Sequence, residues 1–319
     1  MKRLAVLTSG GDAPGMNAAI RAIVRASVYY NAEIYGVYRG YKGLMQGELV
    51  HMDAASVGDI VHKGGTILKS ARSKAFKTEE GRSKAVEQLN AFGIDGLVVI
   101  GGDGSFMGAE KLNELGFPTI ALPGTIDNDL NYTDYSIGFD TAVNTVLEAV
   151  TKIRDTSTSH EKATIIEVMG RNCGDIALHA GVSGGAESII IPEEPVDTAE
   201  VIAKLRKGQK QGKEHQIIML AEGANQAQLL QNELLERAEV NARVSVLGFI
   251  QRGGDPTGRD RILASKMGVR AVEMLLNGVS NHAVGIRHDK LYEIPIADAL
   301  KEEKQLDEEM YKLTQILSI

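Results

Sequence analysis

The sequence predicts an α/β protein of two doubly wound domains, and three observations predict it. Short apolar runs alternate with longer amphipathic ones, glycines gather where the apolar runs end, and the 319 residues are enough for two separate cores. In the first half, residues 4–7, 33–38, 96–100 and 119–122 read as buried strands, with helices at 16–27, 78–92 and 106–115 between them. A long helix at 135–154 follows, with Phe139, Val143, Val146, Leu147 and Val150 near helical spacing. The second half repeats the alternation, with strands at 164–168, 188–191 and 216–220 and helices at 174–180, 198–207 and 229–240. Residues 259–276 form a strongly amphipathic helix and 302–317 a closing one, whose charged face is expected to lie over a stripe of Leu306, Met310, Leu313 and Leu317. Tyr29 and Tyr30 end the first helix. No Pro- or Ser-rich linker, low-complexity tract or strict repeat separates the halves. Two α/β domains packed face to face are therefore expected, with the chain crossing between them more than once. In such sheets ligands bind beyond the carboxyl ends of the strands, so the glycine loops there matter most.

Composition excludes several classes. Hydrophobic residues make up 43% and charged residues 24%, which is ordinary for a globular protein and unlike a disordered one. The net charge of −7 argues against a general nucleic-acid binder. Small anionic substrates remain compatible with it, because Arg21, Arg25, Arg72, Arg154, Arg171, Arg243 and Arg252 could make local positive pockets. No stretch approaches the roughly 20 apolar residues needed to cross a bilayer, so no membrane partner is expected. The apolar run after Met1-Lys2-Arg3 breaks at Thr8-Ser9-Gly10-Gly11, too early for a signal-peptide core. The single cysteine, Cys173, cannot form an internal disulfide and reads as a small packing residue. A cytoplasmic location is expected. His160, His179 and His215 are too scattered for metal-ligand spacing.

Three loops at predicted strand ends carry the chemistry. Leu7-Thr8-Ser9-Gly10-Gly11-Asp12-Ala13-Pro14-Gly15-Met16-Asn17 joins a strand to a helix. It serves equally as a backbone cradle for phosphate or as a tight turn. Val98-Val99-Ile100-Gly101-Gly102-Asp103-Gly104-Ser105 sets a carboxylate among three glycines. Asp103 could hold Mg²⁺ together with nucleotide phosphates, the alternative being a solvated turn aspartate. Leu122-Pro123-Gly124-Thr125-Ile126-Asp127-Asn128-Asp129 places two carboxylates at i and i+2. An extended backbone would project Thr125, Asp127 and Asp129 to one side, where one carboxylate takes a proton and the other orients metal or substrate. An Asx-type turn is the alternative. Neither the Walker pattern nor the protein-kinase signature set is present.

Together these loops closely resemble those of the bacterial 6-phosphofructokinases. The resemblance runs essentially end to end and includes Gly138-Phe139-Asp140-Thr141-Ala142, Glu167-Val168-Met169-Gly170-Arg171 and Gln251-Arg252-Gly253-Gly254, with Pro123–Asp129 the most specific segment. It implies three-layer α/β/α domains with mainly parallel sheets: a larger ATP-binding domain of 1–138 plus 251–301, and a smaller fructose 6-phosphate-binding domain of 139–250 plus 302–319. It implies transfer of the ATP γ-phosphate, with Mg²⁺, to the 1-hydroxyl of fructose 6-phosphate in glycolysis. Asp127 would be the base, Thr125 would lie beside the transferred group, and Asp129 would support the metal and orientation. Arg171 and the Gly11 N–H would stabilise charge in flight. Gly11, Tyr41, Arg72, Ser73, Gly102, Asp103, Gly104, Ser105 and Gly108 match the ATP site.

The resemblance places Thr125, Asp127, Lys162, Met169, Gly170, Arg171, Glu222, Arg243, Phe249 and Arg252 at the sugar phosphate. The family usually has arginine and histidine where Lys162 and Phe249 stand, so this chain lacks a bidentate fork and a ring nitrogen there. Pyrophosphate-using relatives typically carry aspartate at the position of Gly104 and lysine at that of Gly124, so ATP is the expected donor. Family members are homotetramers with an ADP or phosphoenolpyruvate site between subunits, matched here by Arg21, Arg25, Asp59, Arg154, Gly185, Glu187, Gln211, Lys213 and His215. Ala54, Gln211 and Glu214 stand where basic residues are common, so a weak response to an anionic effector is expected. The rival readings are a pyrophosphate-dependent phosphofructokinase and a catalytically silent nucleotide-binding regulator. The two glycines count against the first; Thr125, Asp127, Asp129 and Arg171 together count against the second.

Overall fold

The computed structural model describes residues 2–195 and 197–317 and divides into two compact units. The first comprises Met1–Ile126, Leu130–Thr141 and Arg252–Glu303, the second Asp127–Asp129, Ala142–Gln251 and Lys304–Ile319. In chain order the elements begin β1 (Arg3–Thr8), α1 (Met16–Tyr29), β2 (Glu33–Val37), α2 (Gly40–Met45), β3 (Leu49–Met52), α3 (Glu79–Ala91), β4 (Gly96–Gly101), α4 (Asp103–Glu114) and β5 (Thr119–Pro123). They continue with α5 (Phe139–Ser159), β6 (Ala163–Val168), α6 (Asp175–Gly184), β7 (Ser188–Ile190), α7 (Thr198–Lys210), β8 (Gln216–Ala221), α8 (Ala227–Ala238) and β9 (Arg243–Val246). Last come α9 (Gly258–Leu276), β10 (His282–Arg287), β11 (Lys290–Pro295), α10 (Ile296–Ala299) and α11 (Glu308–Leu317).

In the first unit the sheet order is β11-β10-β5-β4-β1-β2-β3. The interior pairs are parallel, and only the outermost pairs, β2 with β3 and β10 with β11, are antiparallel. Every residue of β4 and β5 is buried, as a parallel strand covered on both faces should be. Alternation sends Ala5, Leu7, Leu97, Val99 and Ala121 to one face, where they pack with Leu44 of α2, Leu89 of α3 and Phe106 and Leu112 of α4. The other face carries α1 and α9, which approach so closely that a Cβ at Gly268 would lie 2.8 Å from that of Ala22.

The second unit has a four-stranded parallel sheet, β7-β8-β6-β9. Ile165, Ile218 and Leu220 meet Val201, Ile202 and Leu205 of α7 and Leu230 and Leu234 of α8. The opposite face takes α6, where a Cβ at Gly181 would lie 2.4 Å from Ile189 Cδ1. Helix α11 packs on α6.

Several expectations need correction. Helix α4 starts at Asp103, not 106: Gly102 is its N-cap, and the Asp103 carboxylate suits the positive end of the helix dipole. Helix α5 starts at Phe139, not 135, because Gly138 sits at φ +107° and Ile137 bridges Gly124 beside β5. It then runs on to Ser159. Helix α11 starts at Glu308, where Asp307 Oδ1 accepts from the Met310 N–H at 2.9 Å. Its predicted stripe is not a buried seam: Leu306 and Met310 are half-buried, while Leu313 and Leu317 are exposed. Strands β3, β9, β10 and β11 and helices α2 and α10 lie outside the segments read from the sequence. Three of those strands are half-exposed edge or near-edge segments without a long apolar run. Among the described residues no helix is long and apolar enough to cross a membrane.

Candidate functional site

In the first unit three loops leave the carboxyl ends of the neighbouring strands β1, β4 and β5. The Ser9 N–H donates to the Ile100 carbonyl at 2.9 Å and the Gly124 N–H to the Gly101 carbonyl at 3.0 Å, so the backbone itself ties them together. Close approach makes the glycines necessary. A Cβ at Gly101 would lie 2.5 Å from the Ser9 carbonyl oxygen, and one at Gly124 would lie 2.8 Å from Ile100 Cγ2. Gly102 faces Thr125, whose Cβ would be 3.5 Å from an added methyl, and the Ser136 hydroxyl donates to the Thr125 carbonyl at 2.7 Å. Gly11 lies under the guanidinium of Arg252, with Nη1 2.7 Å from where a Cβ would be.

The helices that follow begin without side-chain caps. Gly15 at φ +104° precedes α1 and Gly102 precedes α4, leaving first-turn N–H groups available to an anion. Around Gly104 no atom lies within 4 Å of a would-be Cβ. The half-buried Asp103 carboxylate beside it makes no hydrogen bond or ion pair among the described residues. No group of three or more His, Cys, Asp or Glu side chains is placed to hold a metal among those residues. One open carboxylate next to an uncapped helix start fits Mg²⁺, which keeps waters and phosphate oxygens as its other ligands.

Of the other residues matched to the nucleotide, Tyr41 is a core residue. Its ring stacks on Phe76 at 4.0 Å between centroids, abuts Gly108, and donates its hydroxyl to the Ser105 carbonyl at 2.6 Å. Burial pushes that phenol well above its usual pKa. Ser73 is half-buried and its hydroxyl accepts from the Phe76 N–H at 3.2 Å, whereas Arg72 is exposed.

The second unit holds the carboxylates. Of the two conformations the sequence allows here, the extended one is absent: the chain bends at 126–127, and Asn128 takes φ +53°. The simple alternation of side chains therefore fails at this point. Asp127 is 5% exposed, and Asp129 Oδ2 lies 3.3 Å from Arg171 Nη1. Arg171 is itself left-handed, at φ +55°, and its N–H donates to Glu222 Oε1 at 2.9 Å. The Met169 N–H donates to Gln251 Oε1 at 3.2 Å, and Gln251 is fully buried. Gly170, at φ +140°, could not carry a Cβ, which would lie 2.4 Å from the Cys173 carbonyl oxygen. Met169, Gly170, Arg171, Glu222 and Asp129 thus form one constellation. Arg243 on β9 and Phe249, which is 79% exposed, stand in the open, and Lys162 is half-buried ahead of β6.

The residues matched to the effector fall into two sets. Arg21 and Arg25 share one face of α1, and Asp59 is exposed in the first unit. In the second unit Arg154 donates to the Gly184 carbonyl beside Gly185, and Lys213 Nζ lies 3.4 Å from Glu187 Oε1. His215 Nδ1 is 2.9 Å from the Thr158 hydroxyl, while Gln211 is exposed.

Two supporting groups of the second unit carry little signal in the sequence: Gln251 stands at the start of Gln251-Arg252-Gly253-Gly254, and Asp175 is one acidic residue after Gly174. Cys173 is buried, and burial raises its thiol pKa far above normal, in keeping with packing.

In doubly wound sheets, strand ends that lead into helix starts without side-chain caps are a common setting for phosphate-bearing ligands. A family model described as phosphofructokinase matches residues 3–275, and the chain belongs to that family. An ATP-dependent 6-phosphofructokinase of Clostridioides difficile (strain 630) is 59% identical over 319 residues, covering 100% of both chains. Another, from Halalkalibacterium halodurans, is 56% identical over 319 residues with the same coverage. Among solved structures, that of phosphofructokinase from Saccharomyces cerevisiae superposes with a TM-score of 0.90 at 35% identity. It covers 100% of this chain and 48% of its own, so the chain spans about half the yeast protein's length.

Proposed function

We propose that this chain transfers the γ-phosphoryl group of ATP to the 1-hydroxyl of D-fructose 6-phosphate, giving D-fructose 1,6-bisphosphate and ADP in glycolysis. The observation that carries this reading is the conformation of 127–129 after the bend. It buries one carboxylate and pairs the next with Arg171, in a chain 59% identical end to end to an ATP-dependent 6-phosphofructokinase. Asp127 takes the proton from the attacking hydroxyl. Asp129 holds the Arg171 guanidinium, which meets charge on the phosphoryl group as it moves. Thr125 lies beside that group, and the Gly11 N–H donates to it. Met169, Gly170, Glu222, Arg243 and Arg252 hold the sugar phosphate, with Lys162 and Phe249 beside them.

ATP lies over Gly102, Gly104, Ser105 and Gly108, with Arg72 and Ser73 on its flank, and Tyr41 supports the turn from beneath through the Ser105 carbonyl. Mg²⁺, held by Asp103, would neutralise charge on the β- and γ-phosphates. Glycine at 124 favours ATP over pyrophosphate because it leaves out the lysine charge that pyrophosphate-using relatives place near the leaving group; a side chain there would also crowd Ile100 and Met16.

We read the protein as a cytoplasmic homotetramer with an ADP or phosphoenolpyruvate site at Arg21, Arg25, Asp59, Arg154, Gly185, Glu187, Gln211, Lys213 and His215. Inhibition by phosphoenolpyruvate is weak in this reading, because the Lys213 charge is already engaged by Glu187 and exposed Glu214 adds a negative one. A fructose 6-phosphate curve that shifts strongly at sub-millimolar phosphoenolpyruvate overturns that point.

The test of the main reading compares ATP and pyrophosphate as donors to fructose 6-phosphate, with Asp127→Ser as control. Activity with ATP that collapses in the variant is the expected result. Activity with pyrophosphate alone overturns the donor, and none with either overturns the reading.

A further inference from the structure

A cluster of charged side chains with no role so far lies beside the 127–129 bend, within the second unit. Asp175, in the first turn of α6 and 8% exposed, accepts two hydrogen bonds on the same oxygen. Asn128 Nδ2 donates to Oδ2 at 2.8 Å, and Lys304 Nζ lies 2.8 Å from it. The Lys304 side chain is only 21% exposed. Across the start of α6, Glu193 Oε1 accepts from the Gly174 N–H at 2.7 Å, while its Oε2 is buried and without a hydrogen-bond partner among the described residues. Burial works against the Lys304 charge, but Asp175, Cys173 and Glu193 outweigh it and raise its pKa.

Asn128 stands between Asp127 and Asp129 in a left-handed conformation, which asparagine tolerates better than most residues but does not prefer. The direction in which both carboxylates leave the backbone depends on that residue's dihedral angles. The Asn128 amide is tied to Asp175, and removing the cation of a buried ion pair leaves the remaining charge uncompensated. Without Lys304, Asp175 Oδ2 loses the cation paired with it, and the oxygen that holds the Asn128 amide is left to find another partner.

We propose that Lys304 is a positioning residue for the catalytic bend, acting through Asp175 on Asn128 so that Asp127 and Asp129 keep the orientation the reaction needs. This rests on the reading of Asp127 as the base. The Lys304 ammonium is engaged by Asp175, and none of the residues assigned to the nucleotide belongs to this cluster, so its effect should fall on kcat rather than on nucleotide binding.

The experiment uses the full chain and compares Lys304→Met, Lys304→Arg, Asp175→Asn, the Lys304→Met/Asp175→Asn pair and Asp127→Ser. Each is assayed for kcat and for both KM values, well below its own unfolding temperature, which is measured alongside. Lys304→Met should lower kcat about 10-fold or more, with KM for ATP within about twofold of the parent. Lys304→Arg, which keeps the charge, should recover kcat to within about threefold of the parent. The double variant should be no slower than the slower single one, because the two groups act in series. If Lys304→Met does not fold, Lys304→Arg and the pair, which leaves no unpaired charge, carry the same comparison.

A merely structural lysine would shift the unfolding temperature and leave kcat alone; that result overturns the proposal, as do additive losses in the double variant. Should Asp127→Ser be inactive while Lys304→Met matches the parent, only this inference fails. Should Asp127→Ser keep its activity, the assignment of the base fails and takes this inference with it.

Discussion

The glycine loops of the first unit and the carboxylate bend of the second are held in opposite ways. At the ends of β1, β4 and β5, backbone meets backbone, and geometry is set by side chains that are missing: Gly101 beneath the Ser9 carbonyl and Gly124 against Ile100. At the bend, side chains set the geometry, through Asn128 on Asp175, Arg171 on Asp129 and Glu222 on the Arg171 N–H. Two residues there, Asn128 and Arg171, occupy left-handed backbone without being glycine. The difference teaches where each half is vulnerable. The first is damaged by adding atoms, the second by removing charges or hydrogen-bonding groups.

The largest effect should come from the second half. Asp127→Ser is expected to lower kcat about 10³-fold with little change in unfolding temperature, since the loss is of a proton acceptor rather than of packing. Steady-state rates and a melting curve on the same sample check it.

A charged group embedded in the first unit sharpens the contrast. Asp260 is fully buried, and burial pushes its pKa up to about 6 from 3.8, even though Thr141 Oγ1, the Gly138 N–H and the Thr141 N–H all donate to it. The folded state therefore holds a proton that the unfolded chain releases, so this contribution to stability is present below about pH 4 and is lost as the pH rises through about 6. Its span is on the order of 2–3 kcal/mol. Urea unfolding at several pH values should show the advantage of the parent over Asp260→Asn shrinking across that window; a constant difference would count against it.

Gly124→Lys tests the steric half directly. It should cost about 1–3 kcal/mol of stability through the clash with Ile100 and Met16, without conferring use of pyrophosphate. Gly104→Asp is the converse: with nothing within 4 Å of its Cβ the fold should be untouched. KM for ATP should nevertheless rise about 10-fold or more, as a carboxylate meets the phosphates. Smallest of all, Lys162→Arg with Phe249→His should lower KM for fructose 6-phosphate about two- to fivefold by restoring a bidentate donor and a ring nitrogen.

The glycine half was legible in the sequence because its determinants are local. A strand of apolar residues ending in Gly101-Gly102 or Gly10-Gly11 announces itself within ten residues. Even so, α4 starts three residues before the sequence suggests, because Asp103 and Gly104 look like loop formers and become a first helical turn only when Gly102 caps it. The carboxylate half was legible as residues but not as shape. Whether 125–129 runs extended or turns is not decided locally, since the Asn128 side chain bonds Asp175, 47 residues away, a contact no local spacing encodes. The exposed strands β9 and β11 were missed for a related reason. They owe their form to pairing with β6 and β10 and carry no continuous apolar run of their own.

The contrast between Gly104 and Gly124 bears on how such a protein could change its phosphoryl donor over time. Position 104 opens onto empty space and accepts a new side chain at no steric cost, whereas a side chain at 124 must push Ile100 and Met16 aside. In a lineage acquiring both changes, the acidic one would come freely and the basic one would draw on stability already in hand, so a few ångströms of free space decide which substitution needs a compensating one.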